Sequence, residues 1–339
     1  MKKIISLIIC LIMIVSVFGG CMVQKKDGVA LTVGDVEMSA SEFAYYVYMC
    51  KVQLAQEQGV TLGDEAAEKE FLDTKNGDVT NREVICDNAV KEAEKLLVQY
   101  NKAVEMGLEL TEDDSARCVN DITSMKTQMG GVEAYEQQLE QFGTTPHAFE
   151  ELYKKNIVAS KLFDKLSTDG TLEVTDEQTS EYIKNNYVKA AHILFSMMDT
   201  STNEMYDEAT IASKKQLAED TLKKINDGED FNKLMNELSE DPGLETSPDG
   251  YVFTKGEMVP EFEETAFGLE ENKVSGVVET SYGYHIIKRL PLEINEELIA
   301  QYGPGAKTMC QAEKLDELTE EWKNDFKTSL NDKEIKNFK

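Results

Sequence analysis

The 339-residue chain carries 64 Asp and Glu against 35 Lys and Arg, a formal net charge of −29. Such acidity repels phosphate backbones and excludes nucleic-acid binding, while it favours solubility and admits basic client polypeptides. With 41% hydrophobic residues, a chain of this length is expected to pack as two domains.

Residues 1–20 read as a signal peptide. Lys2 and Lys3 precede Ile4 to Phe18, thirteen apolar residues and two serines, and Gly19-Gly20 follow. Fifteen residues fall short of the roughly twenty that a membrane-spanning helix needs, and the charged start with a small-residue end fits cleavage. The mature chain is therefore expected to be extracytoplasmic, with a charge of −31 once Lys2 and Lys3 are removed. Small residues directly before Cys21 resemble a bacterial lipobox, although Phe18 stands where that pattern usually has Leu. The resemblance implies a diacylglyceryl group on Cys21, an anchor in the bacterial cell membrane, and a short tether over 21–28. The alternative is an ordinary secretory signal in which Cys21 is incidental.

Val29 to Met38 alternates and turns like a hairpin, and Ser39-Ala-Ser-Glu42 supplies a capping box. Phe43, Tyr46, Val47, Cys50 and Leu54 then recur at helical spacing. Thr80-Asn-Arg-Glu83 caps a helix running to Met106-Gly107, and Thr111 caps another that ends near Gly130-Gly131. Thr145-Pro146 starts a third with proline at its favoured first position, and Thr175-Asp-Glu-Gln178 opens a last one ending near Tyr187. Residues 29–187 are thus expected to form a mainly helical domain. Cys50, Cys86, Cys118 and Cys310 lack the spacing of a zinc site or redox dithiol, which leaves buried thiols or a single disulfide.

From Val188 the period changes. Val188 to Phe195 reads as a strand, with Ala190, His192 and Leu194 on one face and Ala191, Ile193 and Phe195 on the other. A helix bearing Ile211, Ala218, Leu222 and Ile225 closes at Gly228. Then come a helix over Phe231 to Leu238, a strand over Tyr251 to Phe253, and a helix over Pro260 to Phe267. Strands over Val274 to Thr280 and Tyr284 to Arg289 complete an α+β unit at 188–290. After Pro291 helix returns, and Leu315, Leu318, Trp322 and Phe326 give residues 291–339 a face that needs a partner.

Two of the three histidines, His192 and His285, sit inside short apolar strands, where an imidazole is costly unless hydrogen-bonded. Between them lie Leu238-Ser-Glu-Asp241-Pro-Gly and Gly256-Glu-Met258-Val-Pro-Glu-Phe262-Glu. Taken in order, these motifs resemble the parvulin family of peptidyl-prolyl isomerases. The hairpin and long helices before them resemble, more loosely, the amino-terminal regions of PrsA-like and SurA-like foldases. The resemblance implies an α+β parvulin domain, a small four-stranded sheet with surrounding helices, inserted into a helical chaperone domain on which 291–339 packs back. It implies a catalyst of X-Pro isomerisation in unfolded secreted polypeptides, held at the membrane. The rival reading is a holdase whose parvulin unit binds but turns over little. A homodimer is left open.

Rotation about an X-Pro bond breaks amide resonance, so catalysis requires a socket for the proline ring and polar groups that favour the twisted amide, with no metal or other cofactor. By the resemblance, Met258, Phe262 and Thr280 bind substrate, while His192, Asp241 and His285 form the catalytic centre. Met258 and Phe262, four residues apart, are expected on one face at the start of the third helix of the unit. The histidines are read as site-organising rather than proton-transferring, the two rings bonded to each other and fixing the sheet beneath the bound proline. Asp241 would weaken the double-bond character of the rotating amide. Ser247-Pro-Asp-Gly-Tyr-Val-Phe253 replaces the usual Gly-Gly-Asp-Leu-Gly-Trp-Phe, so Gly250 stands in for a socket leucine. From 196 to 249 there are fourteen carboxylates and five lysines, an environment that disfavours phosphorylated substrates.

Overall fold

A computed structural model describes residues 27–338 apart from Thr200, Ser201 and Asn203. The signal-peptide and Cys21 readings lie outside the described residues. The chain divides into two compact units, one comprising residues up to Glu173 together with Gln311 onward, the other running from Val174 to Cys310. No described helix is long and apolar enough to cross a membrane.

The first unit opens with β1 (Val29–Val33) and β2 (Val36–Ser39), an antiparallel hairpin. Ser39 and Glu42 exchange the two bonds of a capping box at the start of α1 (Ala40–Glu57). Then follow α2 (Glu65–Asp73), the small pair β3 (Lys75–Asn76) and β4 (Val79–Thr80), and α3 (Asn81–Glu105), boxed by Thr80 and Glu83. The helices α4 (Glu112–Gln128), α5 (Val132–Gln141) and α6 (Pro146–Thr168) complete the amino-terminal part. Phe43, Leu97, Tyr135, Leu139 and Phe149 lie at the centre of its core. Among the described residues no cysteine is in a disulfide; Cys86, Cys118 and Cys310 are buried and Cys50 is half-buried.

The second unit begins before Val188. The helix α7 (Asp176–Asn186), boxed by Thr175 and Gln178, buries Ile183 with Tyr187 against Ala306, Tyr302 and Leu298. That local cluster adds α7 and residues 291–310 to the sheet, so the compact unit runs from Val174 to Cys310. Its strands are β5 (Tyr187–Ser196), β6 (Tyr251–Thr254), β7 (Val274–Thr280) and β8 (Gly283–Leu290), in the order β6-β5-β8-β7 and all antiparallel. The helices α8 (Glu208–Asn226) and α9 (Phe231–Leu238) cover the face that carries Ala191, Ile193, Phe195 and Ile286. The helix α10 (Pro260–Gly268) covers the other face, packing Phe262 and Ala266 on Val188, Ala190, Phe253 and Ile287. On β8, Arg289 Nη1 donates to the Ala266 and Phe267 carbonyls at 3.0 and 3.4 Å, which pins the last turn of α10 to the sheet.

The chain closes with α11 (Glu296–Trp322), within which the unit boundary falls, then β9 (Thr328–Leu330) and α12 (Asp332–Ile335). In the first unit, Leu315 packs with Val158 and Leu162, while Trp322 and Phe326 lie against the core. The strand β9 pairs with β1, turning the initial hairpin into a three-stranded sheet.

Candidate active site

Antiparallel pairing sets Leu194 opposite His285 and His192 opposite Ile287. The two histidines are therefore diagonal neighbours on the face beneath α10, with ring centroids 5.1 Å apart. Phe262 packs edge-on against both rings, at 5.1 Å from His192 and 5.4 Å from His285. Met258 joins the same apolar cluster, half-buried. It precedes the helix, whose N-cap is Val259, so its contact with the Phe262 cluster comes from the approach of the loop and not from helical spacing.

Asp241 is carried by the turn after α9. Leu194 N–H donates to Ser239 Oγ at 3.1 Å, Glu240 N–H to the Leu194 carbonyl at 2.8 Å, and Ser196 N–H to Glu240 Oε2 at 2.8 Å. The turn is thereby stitched to the end of β5. Asp241 Oδ1 accepts the Gly243 N–H at 3.0 Å, while Oδ2 accepts the Tyr251 hydroxyl at 2.6 Å. His192 Nε2 lies 2.9 Å from the same Oδ2, a close contact whose angle falls short of a hydrogen bond. Burial alone would raise the Asp241 carboxyl, but His192, Tyr251 and Gly243 outweigh it and hold the group at about 2.

The histidines do not hydrogen-bond each other, and neither Nδ1 has a protein partner. Instead His285 Nε2 lies 2.9 Å from Thr280 Oγ1. Thr280, assigned to substrate by the resemblance, is 5% exposed, and it also accepts the Tyr282 N–H at 3.1 Å. Its hydroxyl is thus engaged with His285 and the Tyr282 backbone. Phe262 and His285 are buried as well, so the solvent-facing rim consists of Met258, His192 and Asp241, over a Phe262 floor. Among the described residues no group of His, Cys, Asp or Glu is arranged as metal ligands.

Burial, reinforced by His192, lowers the His285 imidazole from 6.5 to about 3. The folded state therefore keeps the ring neutral between those values, where the unfolded chain binds a proton. This contribution to stability is complete above pH 6.5 and disappears as pH falls to about 3. Asp241 acts in the same direction between its ordinary 3.8 and about 2. Neutralising the excess carboxylates relieves self-repulsion and opposes both. The test is therefore a difference: the urea midpoint of wild type minus that of His285→Gln should shrink between pH 7 and pH 4.

Gly250 explains the departure from the usual socket sequence. Its φ is +88°, and a Cβ would lie 2.6 Å from the Ala190 carbonyl oxygen. A leucine cannot be restored there. Gly250→Leu should lower stability by about 1–3 kcal/mol in a thermal melt, from backbone strain alone.

Residues 175–290 match the PPIC-type PPIase domain family, and residues 1–163 match the SurA-like N-terminal domain family. The chain is 31% identical over 236 residues to the foldase protein PrsA of Oceanobacillus iheyensis, covering 68% of this chain and 70% of that one. It belongs to the PrsA foldase family. The PrsA of Halalkalibacterium halodurans is 33% identical over 238 residues, 66% of this chain, and the match spans 62% of that protein's length. Among solved structures, PrsA from Bacillus subtilis is 25% identical, covering 75% of this chain and 89% of that one, with a TM-score of 0.27. NmPin, the parvuline of Nitrosopumilus maritimus, is 34% identical over 31% of this chain and 97% of its own, with a TM-score of 0.24. The PPIC-type match over residues 175–290 makes the second unit of this PrsA-family chain a parvulin-type peptidyl-prolyl isomerase domain.

Motif order led to His192, Asp241, His285, Met258 and Phe262, which the fold gathers around the two imidazoles. It missed Tyr251, Arg289 and the Ser239-Glu240 stitch. Only the unusual Ser247-to-Phe253 stretch pointed towards Tyr251.

Proposed function

We propose that this chain is a lipid-anchored, extracytoplasmic foldase whose parvulin domain isomerises X-Pro bonds in secreted polypeptides while its helical unit cradles them as a chaperone. The observation that carries the reading is an ionised Asp241 held beside His192, next to an apolar floor of Phe262 and a rim of Met258. A planar amide concentrates negative charge on its carbonyl oxygen, and rotation drains that charge away. An anion near the oxygen therefore disfavours the planar forms relative to the twisted one, and the dry socket strengthens the effect. His192, His285 and Thr280 organise the site in this account and transfer no proton.

The test is refolding of a client limited by a trans-to-cis proline step, which the full chain should accelerate catalytically. Suppression of client aggregation without acceleration would favour the holdase reading, for which the burial of Phe262 and the glycine at 250 speak. Anchoring through Cys21 predicts incorporation of labelled fatty acid that Cys21→Ser abolishes.

A further inference from the structure

Tyr251 bonds the Asp241 carboxylate, yet the reading above gives it no task. It lies on β6, opposite Ala190 of β5, and its ring packs 5.7 Å from that of His192. Its hydroxyl donates to Asp241 Oδ2 at 2.6 Å, a charge-assisted bond to the same oxygen that His192 approaches. The other anchor of the carboxylate, the Gly243 N–H on Oδ1, belongs to the same short turn as Asp241 itself. The turn backbone is stitched to β5, but a carboxylate torsion is broad and poorly fixed by its own rotamer preference, so an anchor within the turn alone leaves the carboxylate free to rotate. The phenol supplies the missing reference by tying the carboxylate to a strand of the sheet that carries both histidines.

Gly243 gives independent support. Its φ lies outside the left-handed region, so the backbone does not require glycine there. A Cβ at 243 would stand 2.1 Å from the Tyr251 hydroxyl oxygen. The space that a side chain would fill is occupied by the phenol on its way to Asp241.

We propose that Tyr251 is a positioning residue for isomerisation, its hydroxyl fixing the Asp241 carboxylate beside His192, with Gly243 as the clearance that lets it reach. The proposal rests on the isomerase reading. Burial and Asp241 both push the phenol pKa up, so it remains a hydrogen-bond donor at every working pH.

The experiment uses the full chain in mild detergent and compares wild type, Tyr251→Phe, Gly243→Ala and the double variant. Tyr251→Phe should lower kcat for an X-Pro peptide about tenfold with KM unchanged, the scale of one hydrogen bond to a charged group. The titration midpoint of the Asp241 carboxyl, followed by 13C NMR, should rise by about one pH unit. Gly243→Ala should move both readouts the same way. On the Tyr251→Phe background it should add little, because both changes break one contact. If Tyr251→Phe fails to fold, Gly243→Ala carries the test alone.

A lowered melting temperature with kcat and carboxyl midpoint unchanged would make Tyr251 a merely structural contact and overturn the proposal. Additive losses in the double variant would overturn the role of Gly243. A wild type that accelerates nothing removes the isomerase reading and the positioning role of Tyr251 in isomerisation with it. In that case the carboxyl titration still reports whether the phenol orders Asp241, so the two failures are distinguishable.

Discussion

Asp241→Asn is expected to lower kcat/KM for X-Pro isomerisation about a hundredfold, the scale of removing one preorganised electrostatic group from a site. The substitution keeps the shape and removes the charge. Asn can accept the Tyr251 hydroxyl through its carbonyl, but its amide then faces the Gly243 N–H, a lost hydrogen bond worth about 1 kcal/mol of stability. Rate and stability thus separate: a large fall in kcat/KM with a small shift in the urea midpoint identifies the charge as the active element. Wild-type turnover in this variant would reduce Asp241 to the cap of the Pro242–Glu245 turn. The measurement is a prolyl-limited refolding time course at several enzyme concentrations, paired with urea unfolding.

Phe262→Ala should have the largest effect on stability, a loss of about 3–5 kcal/mol. The ring is 3% exposed and touches His192, His285 and Phe253, so its removal leaves a cavity under both imidazoles, where α10 meets the sheet. Isomerase activity should disappear with it. Met258→Ala offers the contrast, because Met258 is half-buried on the rim: stability should change little while KM rises about tenfold, the value of trimming one wall of an apolar pocket. Unfolding must be followed by far-UV circular dichroism. The single tryptophan, Trp322, lies in the other unit, and its fluorescence would miss the event. Equal stability of Phe262→Ala and wild type would contradict the packing described here.

The motifs that led to the site were short and ordered along the chain, so they were legible without coordinates. Their spatial grouping was not. Whether His192 and His285 meet depends on the register of β5 against β8, and a slip by one residue would send one ring to the opposite face. Thr280 illustrates the same limit, since the position matched the family pattern while only pairing with β8 shows its hydroxyl on His285. Met258 reached the Phe262 cluster through a loop, which helical spacing does not describe.

By itself the sequence determined what is decided within about one helical turn or one strand pleat. The capping boxes at Ser39, Thr80, Thr111 and Thr175, the proline starts of α6 and α10, and the alternation along β5 are interactions between near neighbours. Tertiary structure alone decided the pairing of β9 with β1, the packing of Ile183 and Tyr187 against Ala306, and the bond from Tyr251 to Asp241. Each joins groups whose meeting depends on the path of the intervening chain. Local residue preferences carry no record of that path, because the energy that fixes it comes from burying whole faces at once.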